Sequence, residues 1–361
     1  MVKALIVGAG AIGRGYVPWE LKNFEITFFD GNDQLATSLR ERGVYKTFMS
    51  FGDRLDVMDV DSRLAFSDLN EIDLEVFDIA FVCVGPRNVE KLPKELGKLT
   101  CKIFSLENDP YTVKILQGHL GKDDIYFGVP DVIASLTAST ENLELDPNAL
   151  HTENGVLYLE DHGDITDCLK DLTPGIHWID LDQMKSEWDA KLYLHNTPHC
   201  IAAFYGYLFE CKYVHEALAI EEVSIILEGV VDEILQMLKI LTNHDHNFME
   251  AYAKKEIRRF SNNLLFDPVI RVAREPIRKL QPGGRLLGAL RMCISAGISP
   301  VNLTKGIVAA LKYNEKNDPD YPIINKINNG SLGDFLSLHL GVQSDSAEGM
   351  LIQKAYEEYD V

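Results

Sequence analysis

Apolar positions fall in two regimes along the chain. In the first half they come as short runs: Lys3–Val7, Glu25–Phe29, Asp78–Val84, Lys102–Leu106 and Asp124–Val129. Each is bounded by turn residues and has the length of a strand buried on both faces of a parallel sheet. Residues 44–77 show shorter alternations, which predict an antiparallel or mixed extension. Gly155–Leu159 and Ile176–Ile179 predict further strands. From about Gln183 the spacing becomes helical, over Ala217–Leu238, Asn247–Phe260, Gly288–Ala296, Pro300–Lys312 and Ser331–Leu338. Turns carrying Gly, Pro or Asn separate these pieces. The pattern predicts an α/β chain, with a doubly wound sheet over residues 1–182 and a mostly helical domain over 183–361.

The first run leads into Gly8-Ala-Gly10-Ala-Ile12-Gly13. This is a G-x-G-x-x-G turn between a strand and a helix, the helix expected over Tyr16–Leu21. One glycine serves the tight turn, one the close approach of a pyrophosphate and one helix–strand packing. The second strand ends in Asp30, about twenty residues on, where a carboxylate binds ribose hydroxyls and repels a 2′-phosphate. A Rossmann-type domain with NAD as cofactor is therefore expected. Its candidate contacts are Gly8, Gly10, Ile12, Gly13 and Asp30, with Val84 and Gly85 after the third run.

The formal charge of −20 on 361 residues leaves no broad basic field for nucleic acid or anionic membrane. An acidic protein with an anionic substrate must gather its cations locally. One segment does so: Arg271, Arg274, Arg278, Lys279 and Arg285 lie within fifteen residues broken by two prolines and two glycines. That makes a poor regular helix and a good anion cradle. The six cysteines have no paired or zinc-like spacing, so buried thiols are expected rather than disulfides. His244-Asp245-His246 has no third ligand cluster near it and is read as a polar inter-helix loop; no metal is expected. No apolar run is long enough to span a bilayer, and the N-terminal run lacks a basic leader, so a cytoplasmic location is expected.

Lys191, Asn196 and His199 lie within nine residues just ahead of the helical region. Pro198 suits a first helical position, which predicts a helix N-terminus near Asn196–Thr197 with Lys191 beside its positive end. A lysine so placed can serve as a general base. Asn108, after the Lys102–Leu106 run, stands at the same sheet edge as the glycine loop, with an amide to offer a substrate oxygen.

Together, Gly8-Ala-Gly-Ala-Ile-Gly-Arg-Gly-Tyr16, Val84-Gly-Pro86, Glu107-Asn108, Lys191-x4-Asn196-x2-His199 and Arg271-Val-Ala-Arg274-x-Pro-x-Arg-Lys279 resemble the polyol-specific long-chain dehydrogenases, the mannitol dehydrogenase family. The resemblance runs to about Lys312. It implies a zinc-independent enzyme that uses NAD to interconvert a sugar-alcohol phosphate and its ketose phosphate, mannitol 1-phosphate and fructose 6-phosphate being the best single pair. Lys191 is then the general base, Asn108 and Asn196 hold the developing alkoxide, and His199 orients a neighbouring hydroxyl. Asp131, Arg274 and Lys279 are the implied substrate contacts. A non-phosphorylated polyol or uronate dehydrogenase stays open as an alternative, as do an enzyme of the 6-phosphogluconate dehydrogenase type and a non-catalytic NAD sensor. The chain departs from the family pattern at Pro130-Asp131-Val132, which lacks an arginine after the aspartate.

Overall fold

In a computed structural model the chain divides into two units. One comprises residues 1–187 with 264–266, the other 188–263 with 267–361. Residues 2–359 are described, except Asp53, Asp164 and Phe266. The division after Glu187 falls inside a helix, Leu181–Ala190, whereas the sequence pattern places a boundary at 182/183. Helical spacing begins some residues before the change of unit, because one helix leads out of the first.

Among the described residues the first unit holds twelve strands. They are β1 (Val2–Val7), β2 (Phe24–Phe29), β3 (Val44–Phe51), β4 (Arg54–Asp61), β5 (Ala65–Phe66) and β6 (Ile79–Val82). Then come β7 (Lys102–Ser105), β8 (Ile125–Asp131), β9 (Ala134–Ser135), β10 (Leu150–Glu153), β11 (Val156–Glu160) and β12 (Ile176–Ile179). The main sheet runs β12-β11-β8-β7-β6-β1-β2-β5. All its pairings are parallel except β11 with β8. From β5 to β8 the order is that of a doubly wound dinucleotide fold, and it reverses direction between β1 and β6. Ligands bind at such a switch point, beyond the carboxyl ends of the strands.

Burial on both faces explains why these strands read as continuous apolar runs. Ala4 and Ile6 of β1 enter one core with Phe28, Phe81 and Phe104. Leu5 and Val7 enter the other with Ala80, Val82, Ile103 and Leu116. The alternations at 44–61 form an antiparallel pair, β3 with β4, which belongs to a separate small sheet ordered β4-β3-β10-β9.

The second unit is built around Thr197–Leu208, a helix whose residues from Thr197 to Gly206 are all buried. A helix apolar on every side must be surrounded. Val301–Lys312 packs so closely on it that a Cβ at Gly306 would lie 2.5 Å from Ile201 Cδ1. Glu221–Leu241 and His246–Phe260 add amphipathic faces, with Val223, Ile226, Val230 and Ile234 of the former buried. No helix among the described residues is long and apolar enough to cross a membrane.

Candidate active site

In the first unit the glycine motif begins where β1 ends. Gly8 has φ +101°, and a Cβ there would sit 2.6 Å from the Cys83 carbonyl oxygen. A side chain at Gly13 would strike the Gly8 carbonyl at 2.0 Å. These two glycines are required by packing. Gly10 differs: a Cβ there would meet nothing nearer than Cys83 O at 3.9 Å, so the chain leaves open space over its second glycine.

The expected helix over Tyr16–Leu21 begins earlier, as a π-turn over Ala11–Tyr16 continued by Val17–Glu20. Arg14 is buried under it, its Nε donating to Ala9 O at 2.8 Å and its Nη1 to Asn148 O. The Tyr45 hydroxyl donates to Arg14 O at 2.6 Å. Asp30 directly follows β2 and accepts from Ala9 N at 2.7 Å and Asn32 N at 2.8 Å, which ties the glycine loop to the end of the second strand.

Beyond β6, Val84 and Gly85 both donate their N–H groups to Oε1 of Glu107, at 2.7 and 2.9 Å. Glu107 is 4% exposed, and burial pushes its carboxyl up to about 7 against those two hydrogen bonds. Its neighbour Asn108 is exposed. Asp131, at the end of β8, is buried.

In the second unit the structure corrects one expectation. No helix starts at Asn196–Thr197: Leu181–Ala190 runs into a π-turn over Lys191–Asn196, which runs into Thr197–Leu208. Asn196 itself has helical φ −65° and ψ −32°. Lys191 therefore has no free helix N-terminus beside it. Pro198, which cannot donate to the preceding turn and crowds it, is accommodated by the wider turn just ahead. Widening also does something an α-helix cannot. Hydrogen bonding from i to i+5 brings residues five apart, such as Lys191 and Asn196, towards one side of the helix, whereas at 100° per residue they would point away from each other.

Lys191 is 3% exposed and Asn196 5%, and Nδ2 of Asn196 is buried without a hydrogen-bond partner among the described residues. A buried amide N–H pair without an acceptor costs stability and is found where a ligand supplies the acceptor. His199, on the next turn, pairs through Nε2 with Asp267 Oδ2 at 2.8 Å and stacks on Phe260 at 4.7 Å. Arg271 takes the other oxygen of Asp267. Burial would raise that carboxyl, but Arg271 and His199 outweigh it and hold it at about 2. Asp267 is thus ionised, and His199 Nε2 carries the proton it donates.

Of the five expected cations, Arg271 is engaged by Asp267 and Arg278 by Glu275 at 3.0 Å. The Arg274 side chain is 61% exposed. Lys279 is 4% exposed and donates to the Arg274 carbonyl oxygen. Desolvation, with Arg278 and Arg285 nearby, brings its ammonium well below the ordinary lysine range. Burial likewise lowers Arg285 to about 10. Neither Lys279 nor Arg285 has a carboxylate partner among the described residues. His244 pairs with Asp189 of the helix Leu181–Ala190 at 2.8 Å, and His246 with Glu250 one turn on along its own helix at 3.0 Å. All six cysteines are free thiols.

Sequence reasoning passed over His195 and Glu256. His195 is buried between Lys191 and Asn196 and pairs through Nδ1 with Glu256, which is fully buried. A signal existed: Met249, Tyr252, Ala253, Glu256 and Phe260 share the buried face of one helix, so a glutamate occupies a core position.

Residues 186–329 match the family model of the mannitol dehydrogenase C-terminal domain, so the resemblance to that family drawn from the motifs stands. Among individual relatives, the mannitol-1-phosphate 5-dehydrogenase of Caldanaerobacter subterraneus subsp. tengcongensis is 28% identical over 345 residues, 88% of each chain. That of Exiguobacterium sp. is 29% identical over 350 residues, covering 90% of this chain and 88% of that one. A solved structure of Pseudomonas fluorescens mannitol 2-dehydrogenase, in complex with NAD and D-mannitol, superposes with TM-score 0.78. It covers 99% of this chain and 91% of that one at 13% identity, a likeness of fold.

Proposed function

We propose that the protein is a cytoplasmic, NAD-dependent oxidoreductase that interconverts a sugar-alcohol phosphate and its ketose phosphate, with mannitol 1-phosphate and fructose 6-phosphate as the first pair. One observation carries the phosphorylated substrate. Lys279 is buried and Arg285 half-buried beside the same thiol, Cys200, and neither has a carboxylate within ion-pair distance among the described residues, Glu275 acting on Lys279 only from further off, in a chain with twenty excess acidic charges. Leaving buried cations unpaired is costly. A phosphate dianion matches two such charges, and arginine and lysine are the residues that receive it.

The first unit fits a dinucleotide. Open space over Gly10 suits a pyrophosphate, Asp30 directly follows β2 where an adenosine ribose binds, and Val84 and Gly85 flank the switch point between β1 and β6. Repulsion of a 2′-phosphate by the Asp30 carboxylate favours NAD over NADP. Bound there, the nicotinamide supplies the hydride acceptor for alcohol oxidation.

The rest of the chemistry falls to the chain. Lys191 takes the hydroxyl proton as hydride leaves the carbon, and returns it to the carbonyl oxygen in the reverse direction. Asn196 offers its unpartnered Nδ2 to the developing alkoxide, with Asn108 as a second amide donor. Asp267 fixes the His199 ring through Nε2, so His199 meets a substrate hydroxyl with Nδ1. Asp131 contacts the polyol chain, and Arg274 stands at the outer end of the anion cradle.

The test is NADH oxidation with fructose 6-phosphate beside fructose, fructuronate and tagaturonate at equal concentration. Fructose 6-phosphate is expected to be strongly preferred, and Lys279→Ala or Arg285→Ala to raise its KM roughly 10- to 100-fold, the worth of one charged hydrogen bond. Preference for a uronate would reassign the cradle to a carboxylate. Tight NADH binding without turnover of any ketose would leave a sensor.

A further inference from the structure

Asn196 is bracketed. His195 precedes it and is clamped by Glu256; His199 follows it and is clamped by Asp267. Each carboxylate is in turn held by an arginine close by in sequence, Arg259 three residues after Glu256 on the same helix and Arg271 four residues after Asp267. Lys255 adds a second cation to Glu256 at 3.2 Å. Phe260 packs on both imidazoles, edge-on to His195 at 5.2 Å and stacked on His199 at 4.7 Å. Both histidines are under 10% exposed and Glu256 is 0% exposed. Two ionic clamps and one shared aromatic ring thus converge on five residues of backbone, His195–His199.

Such an investment is unexplained by stability. A buried ion pair returns little over an apolar packing of the same volume. A π-turn is a rare conformation held only when its surroundings over-determine it. Without an anchor the turn has a ready alternative, because one residue fewer per loop gives ordinary α pitch. In that pitch the Asn196 amide swings away from Lys191.

We propose that His195 is a positioning residue of the reaction. Anchored by Glu256, it holds the widened turn that brings Lys191 and Asn196 to one side of the helix. It acts through Asn196 and touches neither hydride nor proton. This rests on the reading of Lys191 and Asn196 as base and alkoxide donor.

The experiment compares His195→Ala and His195→Gln in wild-type and Asn196→Ala backgrounds. His195→Ala is expected to lower kcat roughly 10- to 100-fold, the usual cost of a small misplacement. KM for the ketose and NADH affinity should stay within about threefold. Glutamine, which can still donate to Glu256, should recover most of the loss. In the Asn196→Ala background, His195→Ala should cost nothing further; losses that multiply would overturn the proposal, as would full activity of His195→Ala. Hydrogen exchange reads the clamp without turnover. Backbone amides of residues 191–197 should exchange at least tenfold faster in His195→Ala while those of Val301–Lys312 keep their rates. Unchanged exchange at 191–197 would overturn the clamp even if the wild-type protein reduced none of the ketoses, a result that would sink the functional reading by itself.

Discussion

Glu107 offers a direct test of how the loop after β6 is built. Its carboxyl is buried, and its ordinary value of 4.5 is pushed up to about 7 by desolvation, only partly offset by the N–H groups of Gly85 and Val84. In the unfolded chain the group ionises near 4.5. Between that pH and 7 the folded protein therefore holds a proton that the unfolded chain has released. Stability falls as pH rises through this window and levels off above it. At ~1.4 kcal/mol per tenfold change in proton activity, the whole loss comes to about 3 kcal/mol, most of it between pH 5 and 8. Glu107→Gln keeps an oxygen where both N–H groups point and removes the ionisation. The unfolding free energy of the variant, relative to wild type, should therefore rise by roughly 2–3 kcal/mol from pH 5 to pH 8. Urea denaturation at the two pH values, followed by tryptophan fluorescence from Trp19 and Trp178 in the first unit, measures that difference. A difference flat across the range would refute a buried, proton-holding carboxyl at this position.

Three further outcomes are expected. Lys191→Ala should lower kcat by ~10²–10⁴ at neutral pH with NADH affinity retained, in steady-state and fluorescence-binding assays; ordinary turnover would exclude the lysine base. Asp30→Ser should reduce the preference for NAD over NADP, read as the ratio of kcat/KM values, and an unchanged ratio would remove Asp30 as the discriminator. Asp267, held at about 2 in the fold against 3.8 in the free chain, stabilises the protein above pH 4 and loses that contribution as pH falls towards 2. Asp267→Asn should accordingly cost about 2 kcal/mol near neutrality and flatten the acid limb of the stability curve, measured by urea unfolding.

The strands were legible because a parallel sheet buried on both faces leaves unbroken apolar runs, and the glycine loop because its two crowded positions tolerate no Cβ. Lys191 and Asn196 could be picked out, but their backbone could not. Pro198 points equally to a helix start and to a strained continuation, and only the packing of Leu181–Leu208 as one helical run decides between them. The basic segment was visible as charge. Asp267 and Glu275 reach Arg271 and Arg278 at spacings of four and three residues, pairs within reach of a sequence reading, but the link from Asp267 on to His199 is tertiary. His195 was hidden by its neighbours: its partner Glu256 lies sixty-one residues away, and no local period connects them.

The π-turn carries a consequence for the numbering of faces along this stretch. An α-helix rotates about 100° per residue, so the extra residue in the turn sets the helix after it out of phase with the helix before it by that amount. Straightening the turn to a uniform pitch with every residue kept would present the side chains from Asn196 to Leu208 to the wrong neighbours, including Ile201 where it meets Gly306, whereas deleting Leu192 would restore that pitch and leave them in phase. Lys191–Asn196 is in this sense a phase-setting joint. It lets one continuous rod keep its buried face in the bundle and still turn a lysine and an asparagine to the same side.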